Sequence, residues 1–315
     1  MSSESKTHLT IICSVKYIWR YKVKLSKKAI AILIGILVVS IGVGAYLFND
    51  YINRWAITQY GGAKTDQSTF YTLQNKKGDL VVIDGGWDSQ SDYVKAVINE
   101  LGGHVDIWIL SHPHPDHIEA FMATYKNPNE ITIDNIYAVD MAAVELCQEN
   151  APWDTMATYE DFLLLNIPDL NYLYDGDKLE IAGLEIDILS AYSDNVDVLS
   201  NDLLNDGSLM FKVHGRTETM LFCSDIGISM SDYLINKYGD NLKSDYLQMG
   251  HHGYGGLSDE FYGLVKPKIA FFDAPDWLMF NESGYYDNQE NAQLMRDMGS
   301  EIYSFSTAPN QIILK

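Results

Sequence analysis

Six consecutive residues, His112-Pro113-His114-Pro115-Asp116-His117, bring three imidazoles and one carboxylate together, directly after the apolar run Val105-Asp106-Ile107-Trp108-Ile109-Leu110. That run reads as a buried strand, so these side chains leave a strand end as a group. A loop at the carboxyl end of a strand is where open α/β sheets carry their chemistry. Imidazole beside carboxylate suits Zn²⁺, or Mn²⁺ and Fe²⁺ where carboxylates dominate. A polar surface turn is the plainer alternative, yet five of the eight histidines fall here and at His251-His252.

A second feature divides the chain. Residues 29–48 (AIAILIGILVVSIGVGAYLF) carry no charge and a single Ser40, enough for a helix to cross a bilayer. Few helices of water-soluble domains are apolar on every side. Six basic residues and no acidic ones lie between 16 and 28. The positive-inside rule then keeps residues 1–28 as a cytoplasmic basic tail and sends 52–315 outside, as a single-pass membrane protein. A cleaved signal peptide is the rival, since Val43-Gly44-Ala45 fits a cleavage site; the long basic lead-in favours an uncleaved anchor. Seven of the 22 basic and two of the 43 acidic residues lie in 1–51, leaving 15 against 41, a net of −26, for 52–315. So acidic a surface lacks the basic stripe of a nucleic-acid binder, although it permits contact with one phosphate. Cys13 precedes the apolar run, and Cys223 lies in a strand pattern where a buried free thiol is expected rather than a disulfide.

Beyond the apolar run no linker or repeat interrupts the chain, which argues for one domain over 52–315. Strands are expected at 69–73 and 79–83, 105–110, 131–139, 179–181 and 184–189, 208–213 and 218–223, 245–249, 268–272, 301–305 and 311–314. Amphipathic helices are expected at 91–101, 158–165 and 289–298. Two strand-rich halves bracketed by helices suggest an α/β fold with two sheets face to face and helices outside.

The pattern His112-x-His114-x-Asp116-His117, followed in order by strand-ending Asp225 and then His251-His252, and preceded by Asp84 in Val-Val-Ile-Asp-Gly-Gly, resembles the metallo-β-lactamase superfamily across 55–315. The resemblance implies a four-layer αββα sandwich and metal-dependent hydrolysis, but leaves the substrate open. Asn205-Asp206-Gly207-Ser208-Leu209 and Met249-Gly250-His251-His252-Gly253 are similar to the hydrolase domain of bacterial DNA-uptake channel proteins and to phosphorylcholine esterases. Both imply phosphate-ester cleavage by a water activated between two ions, zinc with manganese as the alternative. In the family pattern His112 and His114 hold the first ion, Asp116 and His117 the second together with a later histidine, and Asp225 bridges. Asp84 would orient a ligand histidine, or else cap the turn before Gly85-Gly86.

The third histidine that the family gives the first ion is missing. His214 is the only candidate before Asp225, and pairing the hairpin across Gly215-Arg216 sets it eight strand residues, roughly 26 Å at ~3.3 Å each, from the metal end. The same pairing sets Asp225 opposite Asp206, so either Asp206, or Asn205, substitutes as the ligand, or the first site is weak and the enzyme works with one tightly held ion. His251 emerges first from its strand and is assigned to the second ion, leaving His252 to donate a proton or hold phosphate. Tyr254, Trp277, Tyr285 and Tyr286 could cage a quaternary ammonium or simply pack on their own domain; Asn288 is a further candidate to reach the phosphate.

These features set out a membrane-anchored phosphodiesterase-like hydrolase acting on a small-molecule or cell-envelope phosphate ester. The alternatives are a nuclease of the DNA-uptake type, disfavoured by the acidic surface, and a non-catalytic binding module with a degenerate metal site.

Overall fold

The computed structural model describes residues 26–61 and 66–315. The basic segment before them, with Cys13, lies outside the described residues. The described residues separate into two units, 26–51 and 52–315. In the first, a helix spans Lys27–Ile52, and its Lys27–Tyr46 stretch is long and apolar enough to cross a membrane. Its apolar side chains are exposed along this stretch, including Ile32, Leu37, Val39 and Ile41.

Among its described residues the second unit holds fourteen strands in two seven-stranded sheets. The first sheet contains β1 (Trp55–Gln59), β2 (Phe70–Asn75), β3 (Leu80–Asp84), β4 (His104–Leu110), β5 (Thr132–Val139) and β6 (Leu170–Leu173). The second contains β7 (Lys178–Ile181), β8 (Leu184–Ser190), β9 (Met210–His214), β10 (Thr219–Phe222), β11 (Tyr246–Gln248), β12 (Ile269–Phe271) and β13 (Glu301–Tyr303). The last strand, β14 (Asn310–Leu314), returns to the first sheet and pairs antiparallel with β1. Each sheet begins as an antiparallel meander and ends in parallel strands: β3-β4-β5-β6 in one, β10-β11-β12-β13 in the other. The architecture is the expected two-sheet α/β sandwich.

Aromatic rings fill the space between the sheets. Tyr71 on β2 meets Phe222 on β10 edge-on at 5.1 Å, and Phe222 stacks on Phe211 of β9 at 4.9 Å. Such rings bury large area and fix orientation through their quadrupoles. Trp108 on β4 is wholly buried, packs edge-on against Phe121 at 5.0 Å, and donates its indole N–H to the Asp84 carbonyl at 2.9 Å. This bond ties the ends of β3 and β4, the two strands of the first sheet that deliver site residues.

The run after β4 is not all loop. His114 caps a helix over Pro115–Lys126, with Pro115 in its first turn, a position where a proline's missing N–H costs nothing. Asp116 and His117 therefore project from a helix end, pinned by Thr69 N–H to the Asp116 carbonyl and Gly86 N–H to the His117 carbonyl, both 3.0 Å. The β9–β10 hairpin turns at Gly215–Glu218, so Thr219 faces His214 and Met220 faces Val213. This register lies two residues from the expected one. It sets Ser208, not Asp206, beside Asp225: the Ser208 hydroxyl accepts the Asp225 N–H at 3.2 Å.

Candidate metal centre

Strand ends from both sheets meet at one edge of the sandwich. Asp84 closes β3, His112 and His114 follow β4, Asp225 follows β10, and His251-His252 follow β11. Four non-glycine residues here hold left-handed backbone: Asp84 (φ 52°), Ser224 (φ 46°), His251 (φ 48°) and His252 (φ 56°). Such strain persists only where surrounding bonds over-determine it. The bonds are visible. Buried Gln248 accepts the N–H groups of Cys223 and Ser224 at 2.9 and 2.8 Å, and the Ser224 carbonyl takes the His251 N–H at 2.8 Å. Gly253 (φ 92°) follows, where an added Cβ would lie 2.2 Å from the Phe272 ring.

The donor atoms converge. His112 Nε2 lies 2.9 Å from His114 Nδ1 and 3.9 Å from Asp225 Oδ2. His117 Nε2 lies 3.2 Å from Asp225 Oδ1; His252 Nε2 lies 3.0 Å from Asp116 Oδ2 and 3.4 Å from Asp225 Oδ2. Within each of the sets His112–His117–Asp225 and Asp116–His117–His252, one atom per residue lies within 4.8 Å of the others. Apart from these approaches to one another, His117 Nε2, His252 Nε2 and Asp225 Oδ1 are sealed from solvent and have no hydrogen-bond partner. Buried polar atoms left unpaired are costly, and a divalent cation is the partner this donor set fits.

The far nitrogens are anchored. Asp84 Oδ2 sits 2.8 Å from His117 Nδ1 and accepts the Ser111 hydroxyl at 2.7 Å, while Asp84 Oδ1 accepts the Ser111 N–H at 2.7 Å. His252 Nδ1 faces the Asp273 carbonyl at 3.1 Å, and His114 Nε2 faces Asp154 Oδ2 at 2.7 Å. Each acceptor fixes a tautomer and turns the other nitrogen inward. Asp273 is itself held by Tyr71, by Gln59 at 2.7 Å and by Thr69 at 3.1 Å.

Electrostatics follow from this crowding. Burial opposes charge on His117, but Asp225 and Asp84 raise its pKa to about 10. Burial likewise works against His252, yet Asp225 and Asp116 hold it well above the ordinary imidazole value. His112 goes the other way, pushed well down by burial and by the charge of His117. Burial raises Asp84 despite the opposing pull of His117.

Two expected placements change. Asp206 is occupied elsewhere: its Oδ1 accepts the Gly227 N–H at 2.8 Å, and its Oδ2 takes the hydroxyls of Ser200, at 2.6 Å, and Ser229. The cause is a helical turn, Leu203–Asp206, that ends before β9 and rotates Asp206 away from the position a straight hairpin would give it. The order at 251–252 also inverts. Met249 and Gly250 intervene between β11 and the pair, and the left-handed turn swings His252 inward with its side chain wholly buried. His251 stays at the rim, its ring tilted against Tyr254 at 4.4 Å, with Nε2 3.9 Å from Asp225. His214 lies at the hairpin end against Asp187, 3.3 Å away.

Two adjoining cavities open over the cluster, of about 450 and 300 Å³. They share Asp202, Asn205, Asp225 and His251. Tyr254, Tyr285 and Tyr286 border the larger; Trp87, Trp153 and Gln67 border the smaller. Trp277 does not border either cavity; it packs edge-on against Tyr286 at 5.7 Å. Asn288 lies beneath the site, donating to the His252 carbonyl at 3.0 Å. Sequence reasoning missed Asp154, Ser111 and Asp273. Ser111 directly precedes the histidine run and was in principle findable; Asp154 and Asp273 carry no local signal among so many acidic residues.

The family model described as the metallo-beta-lactamase superfamily matches residues 64–123. The matched stretch carries Asp84 and the His112–His117 run, and the two-sheet sandwich is similar to the metallo-beta-lactamase fold. Among solved structures, the metallo-beta-lactamase fold protein YhfI from Bacillus subtilis is similar, with a TM-score of 0.50 and 14% identity over 82% of this chain and 99% of that one. CmlA, a diiron beta-hydroxylase from Streptomyces venezuelae, is similar with a TM-score of 0.52 and 12% identity, over 82% of this chain and 54% of that one. At these identities the likeness concerns the fold alone. A search of curated protein sequences found no match.

Proposed function

We propose that this protein is a membrane-anchored, metal-dependent hydrolase of a small phosphate ester, facing outside the cell. The observation that carries the reading is the convergence of sealed donor atoms on His117, His252 and Asp225, with no hydrogen-bond partner outside their own cluster, beneath an open cleft. His112 and His114 would hold one ion, Asp116, His117 and His252 a second, and Asp225 would join them. Bound divalent ions, zinc or manganese, would lower the pKa of a water and offset charge on phosphoryl oxygens. The protein's own part is positional: Asp84, Asp154 and the Asp273 carbonyl hold three imidazoles in ligating orientation, and the sandwich edge keeps them dry.

The cleft composition favours a small substrate. Among the described residues lining the two cavities there is no Lys or Arg, whereas Asp116, Asp154, Asp202, Asp206, Asp225 and Asp287 all border them. A polynucleotide draws much of its affinity from several Lys/Arg–phosphate contacts, so a single phosphoryl group bound chiefly by the metals fits better than a nucleic acid. Orientation rests on the six basic residues preceding the apolar helix.

The test uses the full chain purified in detergent. Metal content is measured beside turnover of bis-p-nitrophenyl phosphate, p-nitrophenyl phosphorylcholine, single-stranded DNA and a β-lactam. Metal-dependent turnover of the small esters is expected. Faster turnover of DNA would move the reading to a nuclease, and a chain without metal or turnover would leave a binding module. Protease applied to intact cells should remove 52–315; protection would overturn the orientation.

A further inference from the structure

We propose that Asn205 supplies, through its side-chain carbonyl, the ligand that a third histidine would otherwise give to the ion held by His112 and His114. This rests on the two-ion reading above and adds to it a chemical asymmetry between the two ions.

Asn205 is 8% exposed and lines both cavities alongside Asp225 and His251, the smaller one also with His114. Its orientation is determined by its neighbour. Asp202 Oδ2, an acceptor only, lies 2.9 Å from Asn205 Nδ2, so that atom must be the NH₂ group. The other end of the amide, Oδ1, is sealed from solvent and has no hydrogen-bond partner. It shares this state with His117 Nε2, His252 Nε2 and Asp225 Oδ1, the atoms that fit a cation. The backbone is fixed as well. Asp202 caps the turn by accepting the Asn205 N–H at 3.4 Å, and Asn150 accepts the Leu203 N–H at 2.9 Å.

The alternatives nearby are engaged. Both Asp206 oxygens are hydrogen-bonded to Ser200, Gly227 and Ser229, and Asp202 is bonded to Asn205 itself. An amide oxygen is a neutral, hard donor. It binds zinc less strongly than imidazole does and tilts preference toward manganese or ferrous iron. The His112–His114 ion should therefore be the weaker and more exchangeable of the two.

The test is metal stoichiometry and affinity on the full chain in detergent, stripped with a chelator and titrated with Zn²⁺ and Mn²⁺ by calorimetry, with elemental analysis after gel filtration. The wild type should take two ions with unequal affinities. Asn205→Ala should keep the tighter ion unchanged and lose the other, or bind it at least ~10-fold more weakly. Asn205→His should tighten the weaker zinc by at least ~10-fold, which separates loss of a ligand from a folding defect, since the latter would weaken both ions. Two ions bound by Asn205→Ala with wild-type affinities would overturn the proposal while leaving the two-ion reading intact. A wild-type chain that binds no ion would overturn both.

Discussion

The floor of the cleft has two sides that differ in how firmly they are held. On one, Asp116, His117 and His252 meet with both imidazoles fully buried, and each far nitrogen faces a buried acceptor, Asp84 or the Asp273 carbonyl. On the other, His112 has only the Ser111 hydroxyl at 3.1 Å behind it, and His114 leans on Asp154, a partly exposed loop residue. The first side draws its support from two sheets; the second draws it from loops. Preorganisation and openness are thus divided between the halves of one site, which suits a centre where one ion stays and the other meets substrate.

Six substitutions and a pH experiment would break or sharpen that contrast. Asp225→Ala should act most strongly, because its carboxylate faces both sides: both ions should be lost, with affinity falling more than ~100-fold, read by elemental analysis. His252→Ala should abolish the sealed-side ion, whereas His251→Ala should leave stoichiometry unchanged and alter KM; the reverse pattern would invert the geometry. Asp84→Asn should weaken metal binding ~10–100-fold, and Asp154→Asn should fall at the lower end of that range, since its carboxylate is partly hydrated. Equal losses would erase the distinction. Smaller still is the effect of pH. Proton and metal compete for the same nitrogen, and without metal His117 titrates at about 10 while His112 titrates well below the ordinary range. Affinity on the sealed side should therefore rise with pH toward about 10, with proton release seen as buffer-dependent heat, while at His112 no proton needs displacing near neutrality. Last, Tyr285→Ala, at an 85% exposed rim position, should change stability by less than ~0.5 kcal/mol; a larger loss in thermal melts would mean that the rim supports the site.

The parts of this molecule that were legible in the sequence are those governed by short-range pattern. The strand before Ser111, the hairpin at 69–83 and the strand-ending Asp84 and Asp225 all declare themselves through apolar runs that stop at polar residues. The pairing of two sheets followed from the same runs. Legibility failed where one turn decides a direction. The hairpin at Gly215–Glu218 closes two residues later than a minimal turn, which moved Asp206 off the register and brought Ser208 beside Asp225. At His251-His252 two consecutive left-handed residues decide which ring points inward, and nothing in a strand pattern announces them. Short elements such as β1 and the turn Leu203–Asp206 were invisible because their alternation is too brief to register.

The return of β14 to the edge beside β1 has a consequence for how this domain comes into being. β1 waits for a segment 251 residues further along the chain before its edge is covered: Trp55 pairs with Leu314 and Gln59 with Asn310. Until then β1 itself is the open edge, the kind of surface that recruits stray strands; afterwards the edge is β14. The same late segment docks against the hairpin of the second sheet, where the Lys315 carbonyl takes the N–H groups of Thr217 and Glu218 at 2.7 and 2.8 Å. The segment from Asn310 to Lys315 thus ties the edge of the first sheet to the hairpin of the second.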